Sequence, residues 1–371
     1  MQRSVFIDEL RILAVCLVII SHTVYALADR GVAGGILYYL TYTIGPFGVS
    51  IFIIISGYLA GLGLRKDSAL TFYRKKVANL LPPIWVAFLF VGFGLFTLEV
   101  LTSLSAPTKF QSLITSHGNA ITILYPVIYT MLGIDGYIEA SKLDIPTYFT
   151  VGEWFTGFII ILFMITPALN YSFKNRPHQT ILGLFCISAI SYFFQQDGGI
   201  WDFIFICDFN NFNPTTRILE FGFGMYLYVT KDENNTLKLV ASLSIIAVMA
   251  AVYVISGNNL MNMGFTAFIF ACCFVVIFTE RLSSKISTSM KSIVMELAKI
   301  SFMAMIVHHQ IVLLMVRNLP VDQMNTAGFV SLFIFEIFIS FYLAYLLMPV
   351  SRGISNVIFS TLTGDRSKLG N

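Results

Sequence analysis

Residues 5 to 27, VFIDELRILAVCLVIISHTVYAL, form an apolar run long enough to cross a bilayer, yet they carry Arg11 and His22. A stretch of about 20 apolar residues matches the roughly 30 Å hydrocarbon core, so this segment is a transmembrane helix and not part of a soluble fold. Arg11 and His22 are eleven positions apart, about three helical turns, which sets both side chains on one stripe about 16 Å from each other. Asp8, three residues before Arg11, shares that stripe. A charge held within hydrocarbon costs about 3 kcal/mol or more, so such residues face a bundle interior or a wet cavity. The rest of the chain is expected to build a scaffold around a buried, polar, His-containing pocket.

Further apolar runs fall near 44 to 64, 78 to 101, 152 to 172, 179 to 195, 214 to 230, 237 to 256, 260 to 279, 296 to 317 and 327 to 349. The expected fold is therefore all-α: a polytopic transmembrane helix bundle of about ten spans, forming a single domain over residues 1–371. The composition agrees, with 57% hydrophobic residues, 12% charged residues and 35 Phe. An even number of spans puts both termini on one side. Of the 23 Lys and Arg, Arg11 and Arg217 lie inside spans, and most of the others fall at the termini or in the even-numbered connections. Only Arg30, Lys109, Lys142 and Arg317 fall in the opposite connections. By the positive-inside rule both termini are cytosolic.

Other classes are set aside on composition. A net charge of +3, scattered along the chain, gives no surface for nucleic acid. Asp8, Glu9 and Arg11 interrupt the first run at its start and no small-x-small cleavage site follows, so it is not a cleavable signal peptide. The five Cys form no C-x-x-C pattern and imply neither metal nor disulfide. Within the connection 102–151, AITILYPVIYTMLGI (120–134) is broken by Pro126 and Gly133 and is expected to be re-entrant or interfacial. The connection DGGIWDFIFICDFNNFNP (197–214) mixes Trp201 with Phe and Asp. It suits an aromatic interfacial belt or, alternatively, a stacking surface for a sugar.

Several residues have the chemistry for a site. His22 has the side chain of a general base toward a hydroxyl, or of a donor to a neighbouring helix. Arg11 suits bidentate capture of phosphate or carboxylate, or else a structural pair with Asp8. In GPFGVSIFIIISGYLAGLGLRKDSALTFYRKKVANLLPPIW (45–85), Gly45, Gly48, Ser56, Gly57 and Gly61 allow close helix approach. Arg65, Lys66, Arg74, Lys75 and Lys76 form a basic hairpin that suits a phosphorylated donor, or equally a topology signal touching anionic lipid. Glu153 and Trp154 begin the fourth run, where a carboxylate orients His22 or an aromatic anchors the interface. Arg217 and Glu220 are three apart and can pair. His308 and His309 interrupt the ninth run, and of two adjacent residues only one is expected to face the pocket. No acidic spacing accompanies the His residues, and no metal is expected.

In order and spacing these stretches resemble the acyltransferase-3 family of integral membrane O-acyltransferases. The resemblance rests on Arg11, ten intervening residues and His22, with Asp8 before them. It continues through GPFGVSIFIIISGYL, FYRKKVANLLPPIW, EWFTGFIIILFMITP and SFMAMIVHH, and covers nearly the whole chain. Ile12 stands where the family usually has Gly after the first Arg. The resemblance implies transfer of an acyl group, commonly acetyl from a coenzyme A thioester, to a hydroxyl of an envelope glycan, glycolipid or small molecule. It makes Arg11 and His22 the critical pair, with Arg74 or Lys75 as the basic residue of the third helix and His308 as the late His. Some relatives carry an extracytoplasmic hydrolase-like domain, for which a chain ending at Asn371 leaves no room.

The function expected is that of an inner-membrane O-acetyltransferase of a bacterium. Acyl-CoA is the donor, docked on Arg65 to Lys76, and a glycan or lipid-linked saccharide is the acceptor. His22, Arg11 and Asp8 are placed at the reaction; Arg65, Arg74, Lys75, Glu153, Trp154, Arg217 and His308 are placed around the substrates. No bound cofactor is expected, and the other partner is membrane lipid. Rival readings are an exporter of polysaccharide or lipid-linked sugar, and an anchor subunit for an enzyme on another chain.

Overall fold

The structure is a computed structural model that describes residues 5–32, 36–94, 127–139, 154–195, 213–231, 236, 240, 271–276 and 288–364. Among these residues every regular element is helical: α1 (Val5–Asp29), α2 (Ile36–Lys66), α3 (Ala69–Ala87), α4 (Asp135–Glu139), α5 (Trp154–Asn175), α6 (Pro177–Gln195), α7 (Pro214–Val229), α8 (Thr288–Asn318) and α9 (Thr326–Thr363). Six helical segments among the described residues are long and apolar enough to cross a membrane: α1, Ile44–Lys66 of α2, α3 with the π-helical turn Phe88–Gly92 that follows it, α5, Met290–Asn318 of α8, and α9. The protein is a multi-pass membrane protein of all-α class. The expected seventh span falls outside the described residues except for residue 240, and of the eighth only 271–276 are described.

Helix boundaries follow capping chemistry more closely than hydropathy. α3 begins nine residues before the expected apolar run, because the Ser68 hydroxyl accepts from the Thr71 amide at 3.3 Å and opens the helix at Ala69. α7 opens on Asn213, whose side-chain oxygen accepts from the Thr215 amide at 2.9 Å, with Pro214 in the first turn. α9 starts where Asn325 accepts from the Gly328 amide and ends where Gly364 adopts φ +73°, fourteen residues beyond the expected run.

The helices pack in a chain of contacts: α1 lies against α2 and α8, α2 against α7, α8 against α9, and α9 against α3. The small residues of α2 set the closest approaches, as expected. A Cβ added at Gly48 would meet the Ala14 carbonyl of α1 at 3.0 Å, and one at Gly61 would meet the Tyr228 ring of α7 at 2.9 Å. The segment 127–139 packs against α3 and α5. It turns at Gly133 with φ +71°, the Trp85 indole donates to the Met131 carbonyl at 2.7 Å, and the Thr156 hydroxyl donates to the Gly133 carbonyl at 2.9 Å. Residues 120–126 of the expected re-entrant piece lie outside the described residues.

Candidate active site

The start of α1, the end of α2, the start of α3, the start of α8 and the end of α9 share one end of the bundle, and a cavity of about 650 Å³ opens there. Arg11, Lys75, Lys76, Lys299 and Arg352, from four different helices, line it together with Asp67. Asp67 binds the Lys75 ammonium at 2.6 and 2.7 Å, and Glu296 beside the cavity binds Lys299 at 2.5 Å. Lys76 instead lies over the Phe163 ring, 3.7 Å from its centroid, with Phe72 at 5.3 Å. Aromatic faces hold an ammonium without neutralising it. The chamber therefore carries an excess of positive charge on a partly apolar wall, an arrangement that attracts a polyanion bearing an apolar portion.

Three turns up α1 is a second cluster. The His22 ring lies 5.1 Å, centroid to centroid, from His308 and 5.0 Å from His309 on α8. From the sequence, only one of the adjacent His residues is expected to face the pocket; both meet the His22 ring, and neither is among the residues that line the basic cavity. His22 lies across the α1/α8 seam and meets both rings, although consecutive side chains leave a helix about 100° apart. His308 is fully buried, and its Nδ1 lies 2.5 Å from the Met305 carbonyl. A carbonyl only accepts, so Nδ1 carries a proton and donates it to that oxygen. Among the described residues no group of three His, Cys, Asp or Glu is arranged to hold a metal ion.

The other sequence candidates separate by place. Arg11 and Lys75 line the basic cavity; Asp8, His22 and His308 do not, and Asp8 is buried at 1% exposure in the first turn of α1. Arg65 is exposed, and both it and Arg74 are outside the residues that line the cavity. Glu153 lies outside the described residues. Arg217 forms a buried ion pair with Glu220, with NH2 3.0 Å from each carboxylate oxygen, and donates to the Ser50 hydroxyl at 3.0 Å. Its guanidinium also lies 5.6 Å from the Trp154 ring. This group ties α7 to α2 and α5 and is off the cavity wall.

Sequence reasoning passed over three participants. Lys299 and Arg352 entered it only as topology charges, because nothing in the spacing of α8 and α9 brings them to α1. Glu336, a fully buried acid in the first third of α9, was open to the same argument that singled out Arg11, namely a charged residue type inside an apolar run.

The chain matches the acyltransferase-3 family, described as an acyltransferase domain, over residues 4–348. No curated protein and no solved structure matches it.

Proposed function

This chain belongs to the acyltransferase-3 family, and from that premise we propose that it is an O-acyltransferase of the bacterial cytoplasmic membrane. It moves an acyl group, acetyl in the first instance, from acyl-CoA to a hydroxyl of an envelope glycan or lipid-linked sugar. The observation that carries this reading is the placement, on one helix, of a cation in a basic cavity and a His about 16 Å further along. The phosphates of the donor fit the cations Arg11, Lys75, Lys76, Lys299 and Arg352, and the thioester arm extends along α1 toward His22.

His22 then accepts the proton of the acceptor hydroxyl as its oxygen attacks the thioester carbonyl carbon. The C–O bond forms, the C–S bond breaks, and the proton passes from the imidazolium to the departing thiolate. A two-step route, with the acyl group carried on His22 before the hydroxyl takes it, uses the same residues. An acyl-enzyme trapped on His22 distinguishes the routes.

The reading is tested with membranes, labelled acetyl-CoA and acceptor glycan. Label is expected in alkali-labile ester on the glycan, and His22→Ala is expected to lower transfer by at least about 100-fold, within the range that general-base removal produces. In a deletion strain the surface glycan should persist and lose its ester groups. Undiminished transfer by His22→Ala, or loss of the glycan itself, overturns the reading.

A further inference from the structure

The residue after His22 on α1, about 100° further round the helix, is anchored to a different neighbour. Thr23 is fully buried, and its hydroxyl oxygen lies 2.9 Å from the Ile19 carbonyl and in hydrogen-bond contact with Oε2 of Glu336 on α9. Glu336 is fully buried as well, in the apolar part of α9, and its Oε1 has no hydrogen-bond partner among the described residues. The Ser340 hydroxyl, one turn on, donates to the Glu336 carbonyl at 2.6 Å and is also buried.

Thr23 has one hydroxyl proton and two acceptors around it. A carbonyl and a bare carboxylate both only accept, so they cannot both be satisfied by that proton. Both contacts are hydrogen bonds at once when the carboxyl brings a proton of its own. Glu336 then donates to Thr23 Oγ, and Thr23 donates to Ile19. The same assignment fits the surroundings, because an ionised carboxylate fully removed from water with one oxygen unpartnered is far costlier than a neutral acid. An acid in an apolar span is retained for a use.

We propose that Glu336 is a positioning residue for His22. Its hydrogen bond to Thr23 latches α9 to α1 and fixes the rotation of α1 about its axis, so that the neighbouring His22 is presented to His308 and His309. α1 touches both α8 and α9, so the imidazole is held from two sides: ring contacts on α8 and the latch on α9. The catalytic consequence rests on the acyl-transfer reading; the latch itself does not.

The experiment uses the full chain purified in detergent or nanodiscs, with Glu336→Leu, Glu336→Gln, Thr23→Val and Thr23→Ser. A Gln amide donates to Thr23 as the acid does, and Ser keeps the hydroxyl, whereas Leu and Val keep bulk and remove the bond. Misplacing a general base slows chemistry more than binding, so Glu336→Leu and Thr23→Val are expected to lower kcat about 10- to 100-fold with KM for acetyl-CoA within about twofold. Glu336→Gln and Thr23→Ser are expected to stay within about threefold of the starting protein, less than half a decade in rate. Modification of His22 by diethyl pyrocarbonate, followed by mass spectrometry, reads the same placement without transfer. Its rate should change in Glu336→Leu and not in Glu336→Gln. Unchanged kcat and unchanged His22 modification in Glu336→Leu overturn the proposal, as does a Gln variant that falls as far as Leu. Should the starting protein transfer no acyl group, the acyl-transfer reading fails and the modification rates alone decide the latch.

Discussion

Gly57 of α2 faces the backbone of Phe221 on α7 so closely that a Cβ at Gly57 would stand 1.9 Å from the Phe221 carbonyl oxygen. Gly224 returns the contact: a Cβ there would stand 1.9 Å from the Ile54 carbonyl of α2. The two helices meet backbone to backbone, and neither carbonyl has a flexible end that can move aside. Gly57→Ala is expected to force the pair apart at a cost of about 1–3 kcal/mol or more, read as a lower melting temperature and reduced yield of folded protein. Gly183 on α6 has nothing within 4 Å of the same added atom. Gly183→Ala should be neutral or stabilise by up to about 1 kcal/mol through helix propensity. Equal melting of the two variants would refute the crossing as described.

The Arg217–Glu220 pair is 4% and 2% exposed, so each charge depends on the other. Arg217→Leu leaves Glu220 buried with, among the described residues, the Ser50 hydroxyl 3.1 Å away, and should cost about 3–5 kcal/mol. The double variant Arg217→Leu/Glu220→Leu removes both charges and should recover most of that loss. Thermal unfolding in detergent compares the two, and a double variant no better than the single would show that the charges act independently.

In the basic cavity Lys76 and Lys66 make an internal control. Lys76 lines the cavity over Phe163, while Lys66 is exposed at the end of α2 and does not. Lys76→Gln is expected to raise KM for acetyl-CoA about 10-fold, the effect of one charge-assisted contact, with kcat little changed. Lys66→Gln should leave KM within about twofold, since an exposed charge is screened by salt. Indistinguishable KM values would place the donor elsewhere.

Much of this arrangement was legible from the chain because membrane insertion leaves few solutions. An apolar run must be helical, and Arg11 and His22 in one run must face inward. The glycines of α2 had to mark contacts, and Gly48, Gly57 and Gly61 do. The pairing of Arg217 with Glu220 followed from a three-residue spacing on a helix. What did not follow was convergence across helices. Nothing in the order of residues says that Lys299 and Arg352, separated from Arg11 by most of the chain, stand around one chamber. Nor does it say that His309 as well as His308 meets His22. Hydropathy also misplaced ends, because Ser68 starts a helix and Gly364 stops one by capping, whatever the greasiness of the flanking residues.

The length of α9 has one more consequence. Its outward large apolar side chains are dense from Val330 to Val350, about 30 Å at 1.5 Å per residue, which is the thickness of the hydrocarbon itself, and thin to Val357 and Leu362 beyond it. Arg352, Ser355 and the final turns to Thr363 extend the helix beyond that length, braced where the Ser355 hydroxyl donates to the Ala78 carbonyl at 2.5 Å. Since Arg352 and Ser355 also line the basic cavity, one helix carries both a lipid-facing flank and a wall of that chamber.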